Sequence, residues 1–291
     1  MSRIISPALE NILHKRLEVL DHGAISVLEY MGTDSTIVNA ARISYGTGTK
    51  KTSDDAALID YLLRNKHTSP FEMCEIMLYI KLPIFIAAQW IRHRTANINA
   101  YSARYSIMQD EFYIPHGEQV CGQHAVNKQC SGGALENELA SSISSDLAEH
   151  SRQSYALYEK LINQGLSREL ARMILPQNIY TSWYWKIDLH NLMHFLALRA
   201  SSHAQYEIRA YANVILHDIV AKWVPQTYNA FCKYRLNSKN ISSMGAHVIK
   251  DAINGQLKNR EDYVDSIGNL IGKSEWLELM DLMNYRDSIK A

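Results

Sequence analysis

Arg92, His93, Arg94 and Arg104 stand with Asn97, Asn99, Ser102 and Ser106 in a fifteen-residue segment, 92–106, that contains no acidic residue. Guanidinium groups present rigid bidentate forks that match phosphate oxygens, and serine hydroxyls with loop amides can complete a phosphate cradle. The segment is therefore a candidate anion site. Plainer readings fit the same composition: cations in the last turn of a helix complement its dipole, and an arginine-rich stretch in a chain with 17 tyrosines can bind nucleic acid. Against the latter, 30 basic residues balance 30 acidic ones and no second basic stripe is present. No global field draws the chain to nucleic acid or to an anionic membrane.

Two further arginines stand out. Arg199 shares a helical face with Leu189, Leu192, Leu196 and His203, so it interrupts a stripe that otherwise faces the core. A buried guanidinium without an anionic partner costs several kcal/mol; the partner is either Glu207 or a ligand. Arg172 lies in a short segment before Pro176, where an exposed surface arginine is the default. His190 and His194 have a spacing that can chelate a metal, but no Glu follows His190 and no carboxylate third ligand is evident. No metal is expected. Cys74, Cys121, Cys130 and Cys232 form no C-x-x-C pair, and none has a nearby cation that would lower its pKa.

The elements that must position these groups are mostly helical. Residues 24–30 form a strand-like run, followed by Thr33, Asp34 and Ser35, each able to cap a helix through Ile43. A second helix opens at Asp54 and Asp55 and runs to about Arg64. From Glu72 to Lys81 apolar residues alternate, as in a half-buried strand. Pro83 then suits a first helical position, and the helix it opens is expected to run into Arg92–His93–Arg94. Residues 110–133 read as a long loop holding Cys121 and Cys130. A long helix follows over 134–165, then a short one capped by Ser167, and the longest helical pattern covers 189–223, stopped by Pro225. No strand leads into a G-x-G-x-x-G turn, so no Rossmann site is indicated. The expected class is α+β, several long helices packed on a modest antiparallel sheet, with a catalytic domain over 1–237 and a helical extension over 238–291 packed on it. With no signal-like N-terminus and no run approaching the roughly 18 apolar residues of a membrane helix, a soluble, cytoplasmic protein is expected.

The order of residues in the basic segment narrows these readings. R-H-R-x-x-N-x-N-x-x-S-x-R over 92–104 resembles the flavin-dependent thymidylate synthase signature, R-H-R-x-x-S-x-N-x-x-S-x-R, at six of seven fixed positions. His67–Glu72 (HTSPFE), Ala171–Pro176 (ARMILP) and Leu198–Gln205 (LRASSHAQ) resemble other blocks of that family in the right order, over roughly residues 24–235. The resemblance implies FAD as cofactor, methylenetetrahydrofolate as carbon donor, NADPH as reductant and dUMP as the substrate methylated to dTMP, without a cysteine nucleophile. It places the nucleotide against Gln89, Trp90, Ile91, Arg92, Ala100, Tyr101, Ser102, Ala103, Arg104 and Arg172, with amides of 100–103 contributing. FAD is expected at Ser69, Arg92, His93, Arg94, Asp188, His190 and His194, and Arg199 against the uracil ring, promoting ionisation at N3. A homotetramer with sites at subunit interfaces is implied by resemblance alone. Asn97 replaces the usual Ser and Ala100 the usual Glu, removing a side-chain polar group from the site.

Overall fold

A computed structural model describes residues 4–43, 54–123 and 131–283; Cys130 lies outside them. Strands β1 (Leu17–Val19), β2 (Gly23–Met31), β3 (Glu75–Pro83), β4 (Asn97–Ala100) and β7 (Tyr180–Asp188) form an antiparallel sheet in the order β1-β2-β3-β7-β4. Strands β5 (Cys121–Gln123) and β6 (Ser131–Ala134) pair separately, within the stretch expected to be a loop.

The helices are α1 (Pro7–Glu10), α2 (Asp34–Arg42), α3 (Asp55–Arg64), α4 (Ser69–Glu72), α5 (Ile84–Trp90), α6 (Asn137–Asn163) and α7 (Arg168–Ala171). They continue as α8 (Leu189–Arg199), α9 (Tyr206–Val214), α10 (Ala221–Trp223), α11 (Pro225–Phe231), α12 (Ser243–Ile253) and α13 (Lys273–Leu282). The mixed class is therefore as expected. Among the described residues no helix is long and apolar enough to cross a membrane. The chain divides into two compact units, Met1–Leu236 and Asn237–Ala291; the second has its own small core of Val248, Tyr263, Ile271, Trp276, Leu279 and Met280.

In the first unit one face of the sheet makes the core. Period-two alternation turns Ile76, Leu78 and Ile80 of β3, and Trp183, Trp185 and Ile187 of β7, to the same buried side. Helices α5 and α8 close over it. Trp90 meets Phe195 at 4.6 Å between ring centres with the rings tilted by 33°, and Trp185 edge-on at 5.1 Å, a cluster in which each ring removes a large apolar area from water. Among the described residues the indole N–H groups of Trp90, Trp183 and Trp185 have no acceptor.

Four sequence expectations need correction. Strand β7 was not anticipated, although Trp183, Trp185 and Ile187 carry the alternating pattern. Helix α5 stops at Trp90 instead of reaching Arg94, and Pro83 is its N-cap. The next amides close tight turns, Arg92 N to Gln89 O and His93 N to Trp90 O at 3.0 Å, and the chain then pairs with β7 as β4. The 189–223 pattern is broken after Arg199 by a turn through Ser201–Ala204, and a π-helical stretch, Ile215–Val220, follows α9. Of the three capping candidates Thr33 is the N-cap of α2, in a capping box with Thr36, whose Oγ1 accepts from the Thr33 amide at 3.1 Å, while Asp34 serves α11, accepting from the amides of Gln226 at 2.9 Å and Thr227 at 3.0 Å.

Candidate active site

The basic segment leaves the core between α5 and β4. Trp90 anchors its start and is fully buried, so its side chain belongs to the core and offers no wall to a nucleotide. Gln89 on the same turn donates through Nε2 to Oε1 of Gln205, tying the signature to the H-A-Q block; Ile91 is exposed. Arg92 and Arg94 are exposed and His93 half-buried. Among the described residues neither Arg92 nor Arg94 makes an ion pair.

Pairing of Ile98 with Trp185 and Ala100 with Trp183 holds β4 on the sheet edge. Tyr101 extends this ladder, its amide donating to the Ser182 carbonyl at 2.8 Å. That amide is engaged, as is the Arg104 amide, which donates to Ser102 Oγ at 3.3 Å. Of the amides expected to hold an anion, those of Ser102 and Ala103 donate to no protein group among the described residues. Ala100 is exposed on β4.

Arg104 and Arg172 come together on one residue. Arg104 Nε and one terminal nitrogen lie 3.2 Å from a carboxylate oxygen of Glu169, while Arg172 Nε donates to the Glu169 carbonyl at 3.3 Å. Arg168 adds a third guanidinium, donating to the Tyr105 carbonyl at 2.6 Å. All three arginines are exposed. Sequence reasoning missed Arg168 and Glu169 because short, polar α7 carries no periodic signal.

Arg199, at the end of α8, is half-buried, and of its two candidate partners Glu207 is not the one it meets. Glu207 faces away, accepting from the Tyr113 hydroxyl at 3.2 Å, because the break at Ser201–Ala204 takes it off the α8 face; His203 leaves that face too. Arg199 Nε instead donates to His93 Nε2 at 3.0 Å. The His93 ring packs edge-on against Phe195 at 4.9 Å and against His194 at 6.1 Å. Burial, then the neighbouring Arg199 and His194, pull the His93 pKa down to about 4. Burial also lowers that of Arg199, which stays protonated because a guanidinium starts so high. Among the described residues Arg199 has no carboxylate partner.

On the other side of β4 a cleft of about 240 Å³ is lined by Arg94, Asn97, Lys186 and Asp188, with Lys186 bridged to Glu75 at 3.0 Å. Asp188 lines this cleft but is also the N-cap of α8, accepting from the Asn191 amide at 2.9 Å and its Nδ2 at 2.6 Å. Lys186 was another residue missed. His190 is half-buried and His194 exposed, and among the described residues no group of three or more His, Cys, Asp or Glu side chains is placed to hold a metal. Ser69, the first residue of α4, is exposed.

The three described cysteines are free thiols in different surroundings. Cys74 is fully buried, its Sγ 3.6 Å from the Thr33 carbonyl, and desolvation followed by the charge of Asp34 pushes its pKa up to about 12. Burial raises that of Cys232 as well, and Cys121 donates to the Glu118 carbonyl. A thiolate nucleophile needs the opposite environment.

The thymidylate synthase complementing protein family, Thy1, matches residues 26–226. The chain is 55% identical to a flavin-dependent thymidylate synthase of Wolbachia pipientis over 97% of both chains. It is 53% identical to one of Rickettsia conorii over 96% of this chain and 97% of that one. Among solved structures it resembles the UMP/dUMP methylase PolB of Streptomyces cacaoi bound with 5-Br dUMP, at a TM-score of 0.68 and 27% identity, over 77% of this chain and all of that one. The matched span takes in β3, β4, β7 and every arginine of the site, and the chain belongs to the flavin-dependent thymidylate synthase family.

Proposed function

We propose that this protein methylates dUMP to dTMP with FAD as cofactor, methylenetetrahydrofolate as carbon donor and NADPH as reductant, and that it uses no cysteine nucleophile. The observation that carries the reading is the convergence of Arg104 and Arg172 on Glu169, from segments far apart in sequence. A nucleotide phosphate set between these arginines gains charge-assisted bonds from both forks, with Ser102 Oγ and the free Ser102 and Ala103 amides beside them. The Arg104–Glu169 bridge is no obstacle: both side chains are about half exposed, and such a pair contributes less than about 1 kcal/mol. Arg92 and Gln89 complete the nucleotide contacts.

Arg199 is the group we assign to the pyrimidine. Uracil C5 is a poor nucleophile until charge is pushed into the ring, and a fixed guanidinium stabilises negative charge developing at N3 and its flanking carbonyls. Holding that charge ready without an internal carboxylate preserves its full effect on the ring.

The donor set at the cleft fits a phosphate-bearing cofactor. Among the described residues Arg94 makes no ion pair, Lys186 adds a second cation that Glu75 holds at 3.0 Å, and Asn97 supplies hydrogen bonds, with the Glu75 and Asp188 carboxylates sharing the lining. We assign FAD to Arg94, Arg92, His93 and Ser69, with Asp188, His190 and His194 lining its site. A bound reduced flavin supplies the reducing equivalents that complete the methyl group. A cleft of about 240 Å³ takes only part of such a molecule. The remainder is placed against a neighbouring subunit in a homotetramer acting in the cytoplasm.

Purified protein tests this directly. A flavin spectrum near one FAD per chain, bleached by NADPH and coupled to conversion of dUMP, is expected. Arg199→Ala is expected to retain flavin and lose nearly all turnover. A colourless protein inactive on dUMP, or an Arg199→Ala variant with unchanged turnover, refutes the corresponding assignment.

A further inference from the structure

The bond between Arg199 and His93 has an unusual acceptor. A half-buried arginine is ordinarily matched by a carboxylate, which grips two guanidinium nitrogens and cancels the charge. Here Arg199 Nε meets an imidazole nitrogen at 3.0 Å, and its terminal nitrogens bond no protein group among the described residues. Guanidinium nitrogens only donate, so His93 Nε2 must carry the lone pair, the ring must be neutral, and its proton must sit on Nδ1.

We propose that His93 is a positioning residue for Arg199: a neutral acceptor that fixes the direction of the guanidinium while leaving its full charge and both terminal nitrogens for an anionic pyrimidine. The proposal rests on the assignment of Arg199 to the uracil ring given above. Packing supplies the rigidity, because the His93 ring is set edge-on between Phe195 and His194. Chain connectivity supplies the placement, because His93 follows the anchored Trp90 and Arg199 ends the helix that carries Phe195. The titratable groups facing the ring are Arg199 and His194, and no carboxylate is bonded to it among the described residues. An acidic residue in its place would direct the guanidinium equally well and quench it.

The test uses the full-length, flavin-loaded protein and the probe 5-fluoro-deoxyuridylate, whose fluorine acidifies N3 so that ionisation of the bound ring is visible by ultraviolet difference spectroscopy. His93→Phe is expected to lose the ionised-ring spectrum and to lower kcat at least tenfold, with the KM for dUMP changed less than threefold. His93→Asn, which keeps a neutral acceptor, is expected to recover part of both signals. His93→Asp keeps an acceptor and adds charge, and is expected to lose the ionised spectrum again. A His93→Phe protein with the parent spectrum overturns the proposal. If that variant fails to fold or to hold flavin, the Asn and Asp variants decide, and equal spectra for the two overturn it. Arg199→Ala separates the levels. Loss of the ionised spectrum there with its retention in His93→Phe removes only the positioning role, whereas its retention in Arg199→Ala removes the assignment of Arg199 itself.

Discussion

Arg104 and Glu169 face each other at 3.2 Å between the basic segment and α7, so the carboxylate occupies the place where a nucleotide phosphate is proposed to bind. Neutralising the competitor should favour the phosphate. Glu169→Gln is expected to tighten dUMP binding about two- to fivefold, in line with an exposed pair worth up to about 1 kcal/mol. Isothermal titration at two ionic strengths checks it, with the gain shrinking at high salt. Weaker binding in this variant would place the phosphate elsewhere.

Cys74 is expected to be dispensable for turnover. Cys74→Ala removes a buried thiol with a pKa near 12 and should leave kcat within about twofold while lowering the melting temperature, since a buried side chain is truncated. Mass spectrometry after incubation with dUMP and cofactors should show no nucleotide attached to any cysteine. A covalent adduct would contradict the proposed route.

Gly32 sits against that thiol. Its φ is +84°, and a Cβ added there would lie 2.6 Å from Cys74 Sγ. Backbone strain and the clash act together, so Gly32→Ala is expected to destabilise by about 1–3 kcal/mol, read as a shift in denaturation midpoint. In the Cys74→Ala background the penalty should shrink to the backbone part.

Acid should weaken the fold through His93. Its pKa is about 4 in the folded protein and near 6.5 when unfolded, so between those values the unfolded chain holds a proton that the folded one lacks. This group's contribution is full above pH 6.5 and falls steadily as pH drops towards 4. Melting curves of the parent and of His93→Asn from pH 4.5 to 7.5 should therefore diverge in slope, the parent losing more stability in acid. Parallel curves would mean that His93 titrates in the fold as it does in the unfolded chain.

Ala100 lies exposed on β4 where the family signature commonly carries Glu. Ala100→Glu returns a polar side chain to the strand beside Tyr101 and Ser102, and is expected to raise turnover or nucleotide affinity severalfold. Steady-state kinetics with dUMP checks it, and an unchanged kcat/KM would show that backbone contacts suffice at this position.

The part of the candidate site that the sequence displays is the part whose chemistry is local. The 92–104 segment reads as guanidinium and hydroxyl groups in a fixed order and the alternation of β3 shows its buried face, whereas Arg172 reads as a surface arginine until the family resemblance singles it out. Partnerships across the chain were not legible. The helical pattern from Leu189 to Trp223 put Glu207 near Arg199 only if the helix continued, and a turn at Ser201–Ala204 sends Glu207 to Tyr113 instead. Helix α5 likewise looked longer than it is, because nothing local to Arg92–Arg94 says that the following residues will pair with β7. Strand β7 itself alternates clearly at Trp183, Trp185 and Ile187, but its aromatic richness and short inward run resembled no element anticipated there.

The place of β7 carries a further consequence. Laterally it holds β4, and with it the stretch leading to Ser102 and Arg104; at its end it passes straight into α8, which delivers Arg199. Inserting a single residue within Tyr180–Asp188 would turn Trp183 and Trp185 outward and shift both arginines by one step relative to each other. Surrounding loops can grow or shrink without touching this alignment, so β7 acts as the ruler from which both ends of the proposed nucleotide site are measured.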